Sequence, residues 1–144
     1  MILVYGNLWD YDANWRGVTT NGVVKANGEL VMGAGVAKQA NDRYPGLAAR
    51  LGNQVANFGN TVFFDRDSFT FSFPTKLHWR DKSSLNLISQ STDRLCEIAE
   101  ATPRNVYVLP RPGIGYGHVS WGDVFPIVTR LPNNVHIITN EQDF

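Results

Sequence analysis

Two glycine-rich stretches and one lysine hold the residue types in this chain that could do chemistry. The first stretch, "ANGELVMGAGVAKQA" at residues 26–40, sets Gly28, Gly33 and Gly35 around an apolar Val31-Met32 pair and runs into a helical pattern. The second, "PRPGIGYGHVSWGD" at residues 110–123, spaces glycines two apart at Gly113, Gly115 and Gly117. Glycines let backbone amides approach an anion closely, and the N-terminus of a following helix adds partial positive charge. Two such loops facing each other could clamp both phosphates of a diphosphate. Between them in sequence lies Lys76, in "FPTKLHWRD", flanked by Phe73, Pro74, His78 and Trp79. A lone lysine is most often a solvated surface residue, but aromatic flanks of this kind also suit the edge of a site.

The common nucleotide signatures fit neither loop. "GAGVAK" lacks the Gly-Lys-Ser/Thr ending of a P-loop, and as a dinucleotide fingerprint it has Lys38 where a third glycine or alanine belongs. The acid expected about 20 residues further on is replaced by Asn53. Kinase-like and dehydrogenase-like readings therefore fall away. One glycine loop alone is more often a plain turn; a matched pair, each after a strand and before a helix, is harder to explain that way. His78, His118 and His136 have no metal-ligand spacing, so no metal is expected. Ser120 beside His118 is better explained as a helix N-cap than as a nucleophile. Tyr116, set between glycines, either covers a ligand's ribose or base or plugs the core. Arg80 either faces a phosphate or pairs on the surface with Asp81.

The elements that must position these residues read as alternating strands and helices. Met1–Tyr5 is an apolar run ended by Gly6-Asn7, the pattern of a buried strand. Residues 11–21 read as loop and Gly22–Lys25 as a second short strand. Val36–Tyr44 is a helix that Pro45 stops, and Pro45 starts another over Gly46–Asn57, with Leu47, Leu51 and Val55 on one face. Thr61–Asp65 and Phe69–Phe73 suggest a hairpin. Leu85, Ile88, Leu95 and Ile98 share one face of a helix from about Ser84 to Ala101, capped by Ser83 or Ser84. Asn105–Leu109 is a strand, Ser120-x-x-Asp123 opens a helix that Pro126 should kink or shorten, and Asn134–Thr139 is a last strand. This pattern predicts an α/β fold, a mixed and mostly parallel sheet with helices on both faces.

The bulk properties agree with one ordinary domain over residues 1–144. Composition is 43% hydrophobic and 18% charged, too apolar to stay disordered and too interrupted for a membrane span. The apolar start is too short for a signal peptide, so a soluble, unexported, cytoplasmic protein is expected. Thirteen basic and thirteen acidic side chains cancel, leaving no net field to hold a long nucleic acid. A local strip of Lys76, Arg80 and Lys82 could still serve a single DNA strand. Cys96 alone excludes a disulfide framework and a multi-cysteine zinc site, and reads as a small apolar residue on a helix.

Taken in order, "YGNL", "ANGELVMGAGVAKQ", "FPTKLHWRD" and "LPRPGIGYGHVSWGDV" resemble the macro domains, which bind ADP-ribose. "MGAGVA" with "FPTKLHWR" resembles the branch of terminal ADP-ribose glycohydrolases and of bacterial antitoxins that remove ADP-ribose from DNA. The resemblance implies a three-layer α/β/α domain that needs no cofactor and acts as a monomer away from membranes. Asn7 stands where the family holds adenine with an acid, its amide oxygen still able to accept a hydrogen bond; Leu8 and Thr75 accompany the matched motifs. Asn27 matches the asparagine that contacts the distal ribose, with Val24 where many relatives have another asparagine. Gly33, Ala34, Gly35 and Val36 match the first phosphate loop, and Gly113, Ile114, Gly115, Tyr116 and Gly117 the second. Lys76 matches the catalytic lysine, which could attack the opened aldehyde or act as a cationic acid on the leaving group. Eukaryotic relatives have an aspartate where this chain has Gly117. The implied activity is an ADP-ribosyl hydrolase; the alternatives are a non-catalytic binder of ADP-ribose or a related NAD metabolite, and a phosphatase acting on ADP-ribose 1''-phosphate.

Overall fold

The computed structural model describes residues 1–141. Six strands, β1 (Ile2–Tyr5), β2 (Trp15–Thr20), β3 (Phe64–Asp65), β4 (Thr70–Pro74), β5 (Tyr107–Pro110) and β6 (Val135–Thr139), form one sheet in the order β1-β6-β5-β2-β4-β3. All neighbours are parallel except β3, which pairs antiparallel with β4. Helices α1 (Gly35–Arg43), α2 (Leu47–Phe58), α3 (Leu85–Ala101) and α4 (Trp121–Val128) cover the two faces. The sequence-based expectation of a mixed, mostly parallel sheet between helices holds.

Period-2 alternation along the central strands divides the core. Tyr107 and Leu109 of β5 join Phe71 and Phe73 of β4 and Val135 and Ile137 of β6 under α3 and α4. Val18 of β2 faces the other way, into a cluster with Ala37 and Ala40 of α1 and Leu47, Leu51 and Val55 of α2. Burying each such Leu, Val or Phe is worth about 1.5–3 kcal/mol relative to exposure, so both helical layers are held by the same sheet. Ser84 caps α3 by accepting from the Leu87 N–H, and Ser120 caps α4 by accepting from the Asp123 N–H. Cys96 is half-buried on α3, where burial and then Glu100 push its thiol up. No helix among the described residues is long and apolar enough to cross a membrane.

Several expectations need correction. The stretch expected to be loop contains β2, a central strand paired to both β4 and β5. Its composition misleads because Gly17 lies where a Cβ would be 2.5 Å from Leu109 Cδ1 and 2.6 Å from Phe71 Cζ. Arg16 at the start of β2 also fastens a neighbour: Nε donates to the Leu8 carbonyl at 2.7 Å and Nη2 to the Tyr11 carbonyl, pinning the 6–13 loop to the sheet. Gly22–Lys25 is no strand but one arm of a short excursion closed by a single Val24–Leu30 bridge. β1, expected to be buried, is an edge strand with Ile2, Leu3 and Tyr5 exposed. Pro45 precedes the second helix, whose N-cap is Gly46 in the left-handed region, rather than opening it.

An ion pair ties α2 to the β3–β4 turn: Arg50 Nε and Nη2 donate to the two Asp65 carboxylate oxygens at 2.8 and 3.1 Å. Burial alone would raise the Asp65 pKa, but hydrogen bonds from Arg50 and Ser68, with the Arg50 charge, outweigh it and hold the carboxyl below its ordinary value. A depressed folded-state pKa stabilises the fold above the unfolded carboxylate value, about 3.9, and that stability is lost as pH falls through the lower folded value. In denaturant titrations, Asp65→Asn should cost about 1–3 kcal/mol at neutral pH and flatten the loss of stability below about pH 4. Gly17→Ala should cost about 1–3 kcal/mol through overpacking, read as a lower denaturation midpoint with an unchanged slope.

Candidate active site

The cleft arises from the way β2 meets its neighbours. β2 pairs with β4 over five positions, Arg16–Thr20, but with β5 only at Trp15 and Arg16. Beyond that point β2 and β5 are no longer paired in register. From β2 the chain leads to α1 on one face, and from β5 to α4 on the other. A crevice between the carboxyl ends of strands whose connections leave to opposite faces is where open α/β sheets bind ligands.

Two adjoining lobes of about 610 and 520 Å³ occupy this crest. They share Val36, Gln39, Pro110, Arg111, Ile114 and Gly115, so they form one elongated cleft. The first lobe contains the two glycine loops, Gly33–Val36 and Gly113–Gly117, with Thr75 and Lys76. Asn7 and Leu8 line the second lobe, beside Trp9 and Arg43. The two glycine loops, Thr75, Lys76, Asn7 and Leu8 thus line one cleft, and Asn27 does not.

Helix α1 begins at the junction of the lobes. Its N-cap is Ala34, no side chain caps it, and no acid lies in its first turn. The amides of an α-helix's first turn have no partner within the helix; here the sequence Ala34-Gly35-Val36-Ala37 supplies no side-chain oxygen for them. Such an end favours an anion. The second loop closes against the first: Gly35, at φ +56°, lies where a Cβ would be 3.2 Å from the Tyr116 ring. Tyr116 is 69% exposed, so it is not a core plug.

Lys76 leaves the end of β4 and is half-buried, with Nζ donating to the Tyr116 carbonyl at 2.9 Å and to the Trp79 carbonyl at 3.3 Å. Asn60 Nδ2 donates to the Lys76 carbonyl at 3.0 Å, and the Thr75 N–H donates to the Thr20 carbonyl at 3.0 Å. The lysine is therefore fixed at its backbone from below and at its ammonium from the second loop. Trp79 lines the same lobe, with the His78 ring 5.2 Å from it and the Arg80 guanidinium 5.2 Å from its ring centre. Arg80 thus lies against Trp79 rather than against Asp81. The other two histidines stand apart from it, His136 bonded to the Tyr11 hydroxyl at 2.6 Å and His118 exposed after the second loop.

Asn27 needs correction. It is exposed at the tip of the 22–30 excursion, where its Oδ1 accepts from the Glu29 N–H and its Nδ2 donates to Glu29 Oε1. It lines neither lobe. Asn21, at the end of β2, lines the cleft instead; it donates to the Val31 carbonyl at 2.9 Å and accepts from the Val23 N–H at 2.9 Å. Asn7 Oδ1 accepts from the Trp9 N–H at 2.8 Å, and its second lone pair can still accept from a ligand. An Asn oxygen bonding the backbone two residues on is a common local turn.

Sequence reasoning missed Thr20, Asn21, Gln39, Arg111 and Ser83. The first two were hidden by reading β2 as loop. Arg111 lies between two prolines, with its side chain 8% exposed and paired with Glu141 at 2.5 Å. Ser83 emerges only in three dimensions. Its N–H donates to the Gly117 carbonyl at 2.8 Å, and a Cβ on Gly117 would lie 2.4 Å from Ser83 Oγ.

The fold is that of the macrodomains. Within that class the chain resembles the DarG macrodomains. It superposes on the macrodomain of Thermus aquaticus DarG with a TM-score of 0.76 at 27% identity, covering 97% of each chain. With Thermosipho africanus DarTG in complex with ADP-ribose the TM-score is 0.81 at 22% identity, over 99% of this chain and 43% of that one. A Thermus aquaticus protein described as a DNA ADP-ribosyl glycohydrolase is 32% identical over 104 residues, 65% of this chain. The match spans only 29% of that relative's length. No family model matches the chain.

The contact between Ser83 and Gly117 makes a measurable prediction. Gly117→Ala should cost about 1–3 kcal/mol of stability by overpacking, and Ser83→Gly in the same chain should recover most of it. A double-mutant cycle should give a coupling of at least about 0.5 kcal/mol; additive losses would show that the two residues do not share this space.

Proposed function

We propose that the chain binds ADP-ribose along the crest cleft and hydrolyses the bond between its distal ribose and a macromolecule. The observation that supports this best is the Lys76 ammonium, hydrogen-bonded to the second glycine loop in the same lobe as the uncapped start of α1. A diphosphate bound by the α1 amides and the second loop leaves one sugar in the Lys76 lobe. Thr20, Asn21 and Thr75 line that lobe. The adenosine then extends over Val36 and Ile114 toward Asn7 and Leu8.

The first task of the chain is positioning. Backbone amides of Gly33–Val36 and Gly113–Gly117 bind the phosphate oxygens, and the closed contact of Tyr116 with Gly35 limits water above them. Lys76 acts on the anomeric carbon's substituent. As an ammonium already donating to two carbonyl oxygens, it is suited to give a hydrogen bond or proton to the departing oxygen or nitrogen while water takes the sugar. Attack by the neutral amine on the opened aldehyde would require Nζ to lose one proton, leaving two N–H groups for the two carbonyls and the lone pair for the carbon. Positioned acid catalysis of this kind is worth about 10²–10⁴ in rate.

The macromolecule is DNA in this reading. The relative described as a DNA ADP-ribosyl glycohydrolase supports it, and so does the exposed strip of Arg80 and Lys82 beside the Lys76 lobe. A reader without turnover is the second reading, favoured by Gly117, which carries no acid and where a Cβ would lie 2.4 Å from Ser83 Oγ.

Calorimetry with ADP-ribose should show one site per chain. On ADP-ribosylated single-stranded DNA, Lys76→Ala should lose about 10²-fold or more in turnover while ADP-ribose affinity changes by less than about tenfold. Binding without turnover on DNA or protein substrates would select the reader; absence of binding by the folded chain would end both readings.

A further inference from the structure

The Lys76 lobe is lined by two exposed aromatic residues, Tyr116 and Trp79. Lys76 Nζ donates to the main-chain carbonyls of both, at 2.9 and 3.3 Å, so each aromatic side chain starts within a few bonds of the ammonium. The Tyr116 ring is committed to the first glycine loop, against Gly35. Trp79 is held by its own turn instead. The His78 ring lies 5.2 Å from the indole and the Arg80 guanidinium 5.2 Å from its ring centre. The turn itself is closed by the Arg80 N–H donating to His78 Nδ1 at 3.1 Å and the Asp81 N–H donating to the His78 carbonyl at 3.0 Å. With these neighbours in place Trp79 is still 50% exposed.

An indole already fixed by its neighbours and half open to solvent offers flat apolar area at little cost in side-chain entropy. Its surroundings are basic. Arg80 and Lys82 are exposed and belong to none of the ion pairs among the described residues, and Asp81 is the one acid between them. A ring for a base, with cations for the phosphates beside it, is the combination that holds unpaired nucleic-acid strands. An ADP-ribosylated protein carboxylate is an uncharged ester and gives neither the ring nor the cations a partner.

Resting on the ADP-ribose reading above, we propose that Trp79 stacks on the nucleobase that carries the ADP-ribose, with the flanking phosphates at Arg80 and Lys82. The bond to be cut joins the anomeric carbon to that base, so a base beside the Lys76 ammonium lies within reach of the indole. Trp79 is then a specificity-determining residue: it favours ADP-ribose on an unpaired base over ADP-ribose on a protein. A base inside a duplex has both faces covered by its neighbours and must leave the stack before it can meet the ring.

The test measures affinity for free ADP-ribose, for an ADP-ribosylated single-stranded oligonucleotide and for an ADP-ribosylated peptide. It uses the full chain carrying Lys76→Ala, to keep the linkage uncut, alone and with Trp79→Ala or Trp79→Phe. Dividing each affinity by that for ADP-ribose within the same protein cancels any general loss from altering the turn. The oligonucleotide should bind about tenfold tighter than ADP-ribose or better. Trp79→Ala should remove most of that advantage, Trp79→Phe should keep most of it, and the peptide ratio should stay unmoved. An oligonucleotide that binds no tighter than ADP-ribose, a ratio that Trp79→Ala leaves unmoved, or an equal fall for the peptide overturns the assignment while the ADP-ribose reading stands. Failure of the folded chain to bind any of the three removes that reading and this one together.

Discussion

The carbonyl of Tyr116 ties the site together. It accepts from Lys76 Nζ, while the ring of the same residue rests on Gly35 at the start of α1. One residue of the second glycine loop therefore touches both the first loop and Lys76. Neither loop alone encloses anything. Their meeting over the ends of β2 and β5 turns a gap in strand pairing into an elongated cleft, with a cation at one end and uncapped amides in the middle.

What lies beneath explains why the crest can stay open. The two larger apolar clusters lie on opposite faces of the same sheet, so most of the stability comes from its lower body. Gly17 allows Phe71 and Leu109 to close over β2, and Arg16 fastens the 6–13 loop that carries Asn7 and Leu8. Side chains at the strand ends are then free to be polar. Thr20 and Ser83 retain hydroxyl oxygens that are buried without a hydrogen-bond partner among the described residues, and both line the Lys76 lobe. Buried unpaired polar atoms cost stability and tend to gather where function, rather than packing, sets the residue.

Much of this was legible in the sequence. The paired glycine loops, the lysine after β4, and the serine caps of α3 and α4 follow from residue types with a fixed physical job, and each appears where expected. β2 was not legible, because a central strand that must admit a neighbour's ring through a glycine and end in cleft-lining threonines carries neither the apolar run nor the alternation by which strands are read. The same gap displaced the asparagine. Asn27 sits at the expected distance before the glycine loop, but the 22–30 excursion takes up that distance, and Asn21 reaches the cleft. Asn7 was located by the "YGNL" motif, yet only three dimensions reveal that its oxygen is already bonded to Trp9. Spacing along the chain specifies position in space only where the intervening backbone runs straight.

If one cleft holds a diphosphate at the start of α1 and brings a sugar to Lys76, a crystal structure with ADP-ribose bound will show both. The expected result has phosphate oxygens within hydrogen-bond distance of the Gly33–Val36 and Gly113–Gly117 amides, the distal anomeric carbon beside Lys76 Nζ, and the base against Asn7 and Leu8. A ligand bound in the reverse direction, with its base beside Lys76, or one seated outside the crest, would contradict it.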